Sequence, residues 1–388
     1  MTGRSSRRLP AVSGDNRSVA EPLKHHFGPP VVRELARQIA AVWPAFRARA
    51  FVADALDGFE ALELMPRGVH LARVLRRHLP DDVTEAFDIL LRSTGEPRAR
   101  REQDGPMASF FFLPHVNFVA LFGLDHFEAA MRAQHSLTQR FTAEFSIRPF
   151  LERHESATLA RLAEWTADPS EHVRRLVSEG TRPRLPWAGR LRRFQADPAQ
   201  VLALLERLKD DPSEYVRRSV ANNLNDIGKD HPDVLVRVAR RWLADAGDER
   251  RALVRHALRS LVKAGHPGAL RVLGYGHEAV VDCRDVTFAP KRVANGGKVT
   301  ITFSVVNRAS RRQRVLVDLR VHFVKATGRT TPKVFKLKAA DLAPGEHAAI
   351  RKTISLAAMT TRTHYAGRHV VDVLVNGRVT PLGAFTVV

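Results

Sequence analysis

The chain has 388 residues, with 62 Lys+Arg against 41 Asp+Glu and a formal net charge of +21 at pH 7. With 44% hydrophobic and 27% charged residues it can bury a sizeable core, so wholesale disorder is excluded, and its length predicts two or three domains. The lone cysteine, Cys283, excludes a disulfide framework and a multi-cysteine metal site, and suits a reducing cytoplasm.

Residues 1–19, with Arg4, Arg7, Arg8 and Arg17 among Ser, Gly and Pro, read as a disordered basic tail. No apolar run follows it, so no secretory signal is expected. Residues 20–276 are helical in pattern. Apolar side chains recur at three- and four-residue spacing, as in Val32, Leu35, Ile39, Val42 and in Val69, Leu71, Val74, Leu75, His78. The most apolar stretch, Phe110 to Phe122, is broken by Pro114, His115 and Asn117 and is too short and polar for a bilayer. Phe110–Phe112 are expected to pack in a helical core rather than to stack on bases. Asp-Pro and His-Pro pairs at 168, 197, 211, 231 and 266 punctuate the helices, the acid serving as cap and the proline as first-turn residue. Asp168–Val177 matches Asp211–Val220 at eight of ten positions, 43 residues apart, and Gly247–His256 is a weaker third copy. That period is typical of HEAT-type helix pairs, which stack into a solenoid.

Over 277–388 the apolar period becomes two. Val299, Ile301, Phe303, Val305 and Val315, Val317, Leu319, Val321, Phe323 alternate with polar residues, and turns at Asn295-Gly-Gly, Thr327-Gly, Pro344-Gly and Asn376-Gly377 separate the runs. About seven strands predict an immunoglobulin-like β-sandwich, with Tyr365 a candidate tyrosine corner. The fold class is therefore multidomain: an all-α HEAT-like solenoid followed by a small all-β sandwich. From His277 onward there are 19 Lys+Arg and 7 Asp+Glu, more than half of the net charge in under a third of the chain. The densest run, Asn307–Arg314, places Arg308, Arg311, Arg312 and Arg314 in a loop between two strands, where they suit phosphates or a narrow groove. A polyanionic partner follows, with nucleic acid ahead of an anionic membrane surface.

No phosphate-binding Gly-rich loop, no His-Glu-x-x-His and no metal cluster is present, and His25-His26 stands alone. The informative segment is Arg174–Ala188. Val173, Leu176, Val177 and Gly180 form a packing stripe, while Arg175, Glu179 and Arg182 fall on another. In the second copy Arg218, Asn222 and Asp226 take the equivalent stripe, so Glu179 and Asp226 should approach each other on one surface, among arginines. Pro183 and Pro186 stiffen the exit and fix Trp187. An ordinary helix carboxylate pairs with an i+4 arginine and nothing more. Here a Gly and two prolines interrupt a helix beside a Trp without evident gain in stability, as at functional sites.

Phe141–Phe150, Arg174–Ala188 and Tyr215–Pro232 resemble the AlkC type of bacterial alkylpurine DNA glycosylase, of the HEAT-like-repeat superfamily. The resemblance runs from about Ala20 to the end and includes the terminal immunoglobulin-like domain. It implies excision, without a cofactor, of cationic N-alkylated bases (3-methyladenine, 3-methylcytosine, 1-methyladenine) from double-stranded DNA. It assigns the acidic site positions to Glu144, Glu179 and Asp226, the aromatic wall to Trp187, and the lesion-strand phosphate contacts to Arg175 and Arg182. It also implies that the base is not flipped out. A cytoplasmic, nucleoid-associated bacterial monomer without a membrane partner is expected. The rival readings are a non-catalytic DNA-binding scaffold or damage sensor and a protein-interaction solenoid. The first does not need three convergent carboxylates, and the second does not need the charge of the sandwich.

Overall fold

The computed structural model describes residues 23–95, 108–276, 279–358 and 363–388, so the tail expected over 1–19 lies outside the described residues. The chain packs as two compact units that divide between His154 and Glu155.

The first unit holds α1 (Pro29–Val42), α2 (Ala48–Leu56), α3 (Leu64–His78), α4 (Val83–Ser93), α5 (Leu113–Phe122), α6 (Phe127–Thr138) and α7 (Arg148–Arg153). The expected stripes are the buried ones: Val32, Leu35 and Ile39 in α1, and Leu71, Val74 and Leu75 in α3. Arg67 shares the α3 core face at 3% exposure. Its guanidinium donates to the carbonyls of Leu62, Lys24, Phe27 and Glu60 and lies 4.7 Å from the Phe59 ring centroid, so every desolvated edge is met. Phe110–Phe112 depart from expectation. They form a half-buried 3-10 turn, because Pro114 is tolerated only in the first turn of α5 and the helix starts at Leu113.

The second unit opens with α8 (Glu155–Trp165), α9 (Glu171–Gly180), α10 (Arg192–Ala196), α11 (Ala199–Leu208), α12 (Glu214–Asp230), α13 (Pro232–Leu243), α14 (Asp248–Ala257), α15 (Arg259–Lys263) and α16 (Pro267–Val272). The repeat helices are α9, α12 and α14. In the first two copies the acid does not cap the helix as expected. Asp168 and Asp211 fold side-chain turns that accept the N–H of Ser170 and Ser213, 2.8 and 2.9 Å away, and each helix begins after the serine. The His-Pro pairs do put proline at the helix start, in α13 and α16. Arg174, Arg217 and Arg251 each turn back to the carbonyl five residues earlier, at 3.0, 2.8 and 2.9 Å, so the weak third copy keeps the device of the other two. Successive copies are cross-tied by the bidentate pairs Arg174–Asp211 and Arg250–Asp210.

The strands are β1 (Val281–Ala289), β2 (Arg292–Val293), β3 (Lys298–Asn307), β4 (Gln313–Val324), β5 (Thr330–Leu342), β6 (His347–Ser355), β7 (Gly367–Val375) and β8 (Arg378–Val387). They form a three-stranded sheet, β1-β3-β6, and a five-stranded sheet, β2-β8-β7-β4-β5. The strand beyond the expected seven is β2, two residues that pair in parallel with β8. The alternating apolar residues of β3 and β4 face the shared core. Asn376-Gly377 closes the β7–β8 hairpin with φ of +48° and +81°, the primed turn that this dipeptide favours. Tyr365 is half-buried ahead of β7. Leu270 and Tyr275, at the end of the helices, share a small apolar cluster with Leu316 of β4. The compact division falls at 154 and not between α16 and β1, so these last helices and the sandwich belong to one unit. Among the described residues no helix is long and apolar enough to cross a membrane.

Candidate active site

The chain leaves α9 at Gly180, and its last turn is finished by the next repeat. Asn223 Nδ2 of α12 donates to the Ser178 carbonyl at 2.7 Å and to Thr181 Oγ1 at 3.1 Å, while Thr181 Oγ1 donates to the Val177 carbonyl at 2.8 Å. The exit loop is then pinned along α12 by two arginines. Arg182 Nε reaches Asp226 Oδ2 at 2.8 Å, and Arg184 grips Asp230 with both ends of its guanidinium, Nε to Oδ2 at 2.9 Å. Asp226 and Asp230 are one helical turn apart, so the alternate residues of the loop meet successive turns. Arg184 holds the Asp230 carboxyl below the usual carboxylate range.

At the centre lies Glu179. Oε1 accepts from Arg182 Nη1 at 2.5 Å, with Arg175 Nη2 at 3.8 Å, and Oε2 accepts from Ser219 Oγ at 2.6 Å. Asp226 Oδ1 accepts from Lys229 Nζ at 2.8 Å. One guanidinium thus bridges both carboxylates, and the expected approach of Glu179 to Asp226 is made through Arg182. The expected surface setting is not what the structure has: Glu179, Asp226 and Arg182 are 6%, 1% and 8% exposed. Two like charges tolerate this only with a cation between them. Burial works against the charge of Arg182, but the two carboxylates more than offset it and hold its pKa above the ordinary value. Arg182 therefore serves in this state as a clamp on the pair, and Arg175, half-buried beside it, has its guanidinium 4.9 Å from the Tyr215 ring centroid. The carboxylates are not repeat equivalents. Glu179 aligns with Asn222, and Asp226 comes from an extra turn of α12 that Gly180 and Pro183 deny to α9. Asn222 repeats the motif one layer on, with Oδ1 accepting from Arg259 Nη2 at 2.9 Å and lying 3.0 Å from His256 Nε2.

Trp187 stands in the exit loop at φ +64° and 69% exposure. A bulky side chain in the left-handed region, presented to solvent, is strain without burial in return, which makes Trp187 a candidate for a functional rather than a packing role. Glu144 belongs to the first unit, in the turn ahead of α7, where Thr142 Oγ1 donates to its Oε2 at 2.7 Å. In the sandwich the expected loop joins β3 to β4 and carries Arg308, Arg311 and Arg312, all three exposed. Arg308 pairs with Asp282 at 3.3 Å and Arg312 with Asp341 at 4.0 Å. Arg314 is not in the loop but on β4, its guanidinium 5.0 Å from the Tyr275 ring centroid, because pairing with β5 extends the strand to Gln313.

Sequence reasoning missed Ser219, Lys229, Tyr215 and the Arg184–Asp230 pair. A signal for two of them was present. The two well-matched repeat copies differ at His172/Tyr215 and Leu176/Ser219, and both differences mark the site: His172 packs edge-on against Tyr215, and Ser219 holds Glu179 from a core position. Chemically, ionised carboxylates in a desolvated niche stabilise a developing cation and orient water.

A family model described as DNA alkylation repair enzyme matches residues 136–263, and one described as the C-terminal Ig-like domain of the uncharacterised protein YhaZ matches residues 282–388. The chain is 34% identical over 358 residues to the uncharacterized protein YhaZ of Bacillus subtilis (strain 168), which covers 92% of this chain and 97% of that protein. The solved structure of the Pseudomonas fluorescens alkylpurine DNA glycosylase AlkC, bound to DNA containing an abasic site analog, superimposes with a TM-score of 0.84 at 38% identity, over 95% of this chain and 99% of that one.

Proposed function

The chain belongs to the AlkC family of alkylpurine DNA glycosylases, and from that premise we propose that it excises cationic N-alkylated bases, 3-methyladenine first and 3-methylcytosine and 1-methyladenine with it, by hydrolysing the N-glycosidic bond. The observation that carries the residue-level reading is the pair Glu179–Asp226, drawn together from different repeats by Arg182, whose loop also carries the strained Trp187.

Alkylation at a ring nitrogen makes the base cationic and weakens its bond to C1′. Cleavage leaves an oxocarbenium-like sugar, and fixed carboxylates stabilise it as in glycoside hydrolysis. Glu179 and Asp226 supply that charge and orient the water that attacks C1′. The proton lost by the water passes to a carboxylate, and the base departs as the neutral leaving group. Arg175 and Arg182 meet the phosphates flanking the lesion. As Arg182 turns toward a phosphate, the developing sugar cation takes its place between the two carboxylates, which Ser219 and Lys229 continue to hold. The Trp187 face attracts the cationic lesion or the sugar. Because the charge is sensed from the backbone side, the base need not leave the stack, and a neutral base gains nothing from the acidic niche.

The test is single-turnover release of bases from methylated duplex DNA, followed by mass spectrometry. Glu179→Gln is expected to slow release by about 10²–10⁴-fold, the range for a positioned acid–base or charge-stabilising group, with DNA binding nearly unchanged. Unaltered release by that variant removes Glu179 from the chemistry, and no release by the wild-type chain supports a DNA-binding scaffold instead.

A further inference from the structure

A cleft of about 820 Å³ opens within the second unit, between α14–α16 and strands β4 and β5. One wall carries Arg251, Arg255, Arg259 and Lys263, spaced four residues apart along one face of α14 and α15, and the other adds Arg314 and Lys336. Like charges at i and i+4 repel, so four in succession destabilise the helices that bear them. Solubility does not require them to share a face. The lining holds a single carboxylate, Asp318, which is 6% exposed and whose Oδ1 has no hydrogen-bond partner. Burial lifts its pKa to about 6 against the pull of Lys336 and Lys263, so it opposes an incoming anion less than an ordinary aspartate.

Arg259 links the cleft to the candidate active site. That side chain lines the cleft, donates to Asn222 of the helix that carries Asp226, and interacts electrostatically with Asp226 and Arg182. We propose that the cleft is a second DNA-binding site, which takes the sugar–phosphate backbone of the bound duplex beyond the lesion. The inference rests on the glycosylase reading and names a partner contact that the catalytic residues do not provide. Its length favours a strand over a free anion. At roughly 1.5 Å per residue the stripe from Arg251 to Lys263 runs about 18 Å, and a DNA strand places one charge per roughly 3.4 Å of axis. A free phosphate would engage two or three of these cations and leave the rest repelling one another.

The experiment uses the full chain with Arg255→Glu and Lys263→Glu combined. The control is Lys291→Glu with Arg292→Glu, the same charge change at exposed residues outside the cleft. Binding to a duplex bearing an abasic-site analogue is measured over a salt series. The cleft pair is expected to bind about tenfold more weakly than the control and to flatten the salt slope by about two, since each phosphate contact contributes roughly 0.9. If charge reversal unfolds the chain, Arg255→Gln with Lys263→Gln is read in the same way. Binding equal to that of the control overturns the proposal, as does displacement of inorganic phosphate from the cleft with DNA affinity untouched. A wild-type chain that releases no base overturns the glycosylase reading, whereas base release combined with control-like binding by the cleft pair overturns the cleft alone.

Discussion

Arg182 gathers the site, and Trp187 displays what the site costs. Removing the clamp would leave two buried carboxylates without their shared cation, a loss on the order of 3–5 kcal/mol for a buried pair that loses one partner, so Arg182 is a folding residue in its own right. Trp187 is the opposite case. At 69% exposure it gains little from burial, and its φ of +64° costs about 1–2 kcal/mol for a residue with a Cβ. Trp187→Gly removes that strain but adds about 0.5–1 kcal/mol of backbone entropy to the unfolded chain, so the two changes nearly cancel. The expected outcome is a melting temperature within a few degrees of wild type together with a marked loss of base release. A large fall in melting temperature with activity retained would make the loop structural and leave the tryptophan without a role. The candidacy of Glu179, Asp226 and Trp187 was legible in the sequence because a broken helix, a repeat and a resemblance converge on them. The clamp was not, since alignment places Arg182 on a stripe of α9, whereas Gly180 ends the helix and the loop after it decides where the guanidinium goes.

At the scale of elements, the repeat and the strand alternation could be read directly, while details set by pairing between elements could not. The third repeat is nearly invisible in residue identity, yet Arg251 keeps the turn back to a carbonyl. Arg314 looked like a loop residue because nothing in Arg-Arg-Gln-Arg says where pairing with β5 begins. Asp318 is a similar case: the β4–β5 register shifts between Val317 and Asp318, and a carboxylate that alternation alone would not bury ends up 6% exposed in the cleft wall. Its pKa rises from 3.8 to about 6, so between those values the folded state binds more protons than the unfolded one. Stability therefore falls as pH rises through that window, by about 3 kcal/mol in all at 1.36 kcal/mol per unit, and the loss is complete above pH 6. Asp318→Asn is expected to abolish that slope and to melt higher than wild type at pH 7.5, with the two curves meeting near pH 4. Parallel melting curves for the two proteins from pH 4 to 7.5 would mean that the aspartate is ionised in the fold.

Over the whole chain, the excess of positive charge after His277 was legible from composition. The seating of the sandwich on the preceding helices was not, because it depends on two glycines 112 residues apart. The Asn376-Gly377 turn was expected to close a hairpin, and it does, but it also makes the joint. Asn376 Nδ2 donates to the Gly276 carbonyl at 2.8 Å, and Gly377 lies directly against Gly265 in the turn before α16. Both glycines have positive φ, +81° and +74°, and a Cβ added to Gly377 would come within 2.7 Å of the Gly265 carbonyl oxygen and 2.8 Å of its Cα. Neither contact is with a flexible side-chain tip, so the alanine variant has to move backbone. Gly377→Ala carries about 1–2 kcal/mol for the left-handed conformation alone, a penalty that a free hairpin would also bear. The displacement of the sandwich from α16 is additional, and because the cleft has one wall on each side of this joint, displacement separates Arg314 and Lys336 from the stripe on α14 and α15. The variant is accordingly expected to lose more stability than the turn penalty explains and to show a shallower salt dependence of DNA binding, although no cationic residue has been altered. A salt slope identical to wild type in a folded Gly377→Ala protein would mean that the two walls do not bind one duplex together.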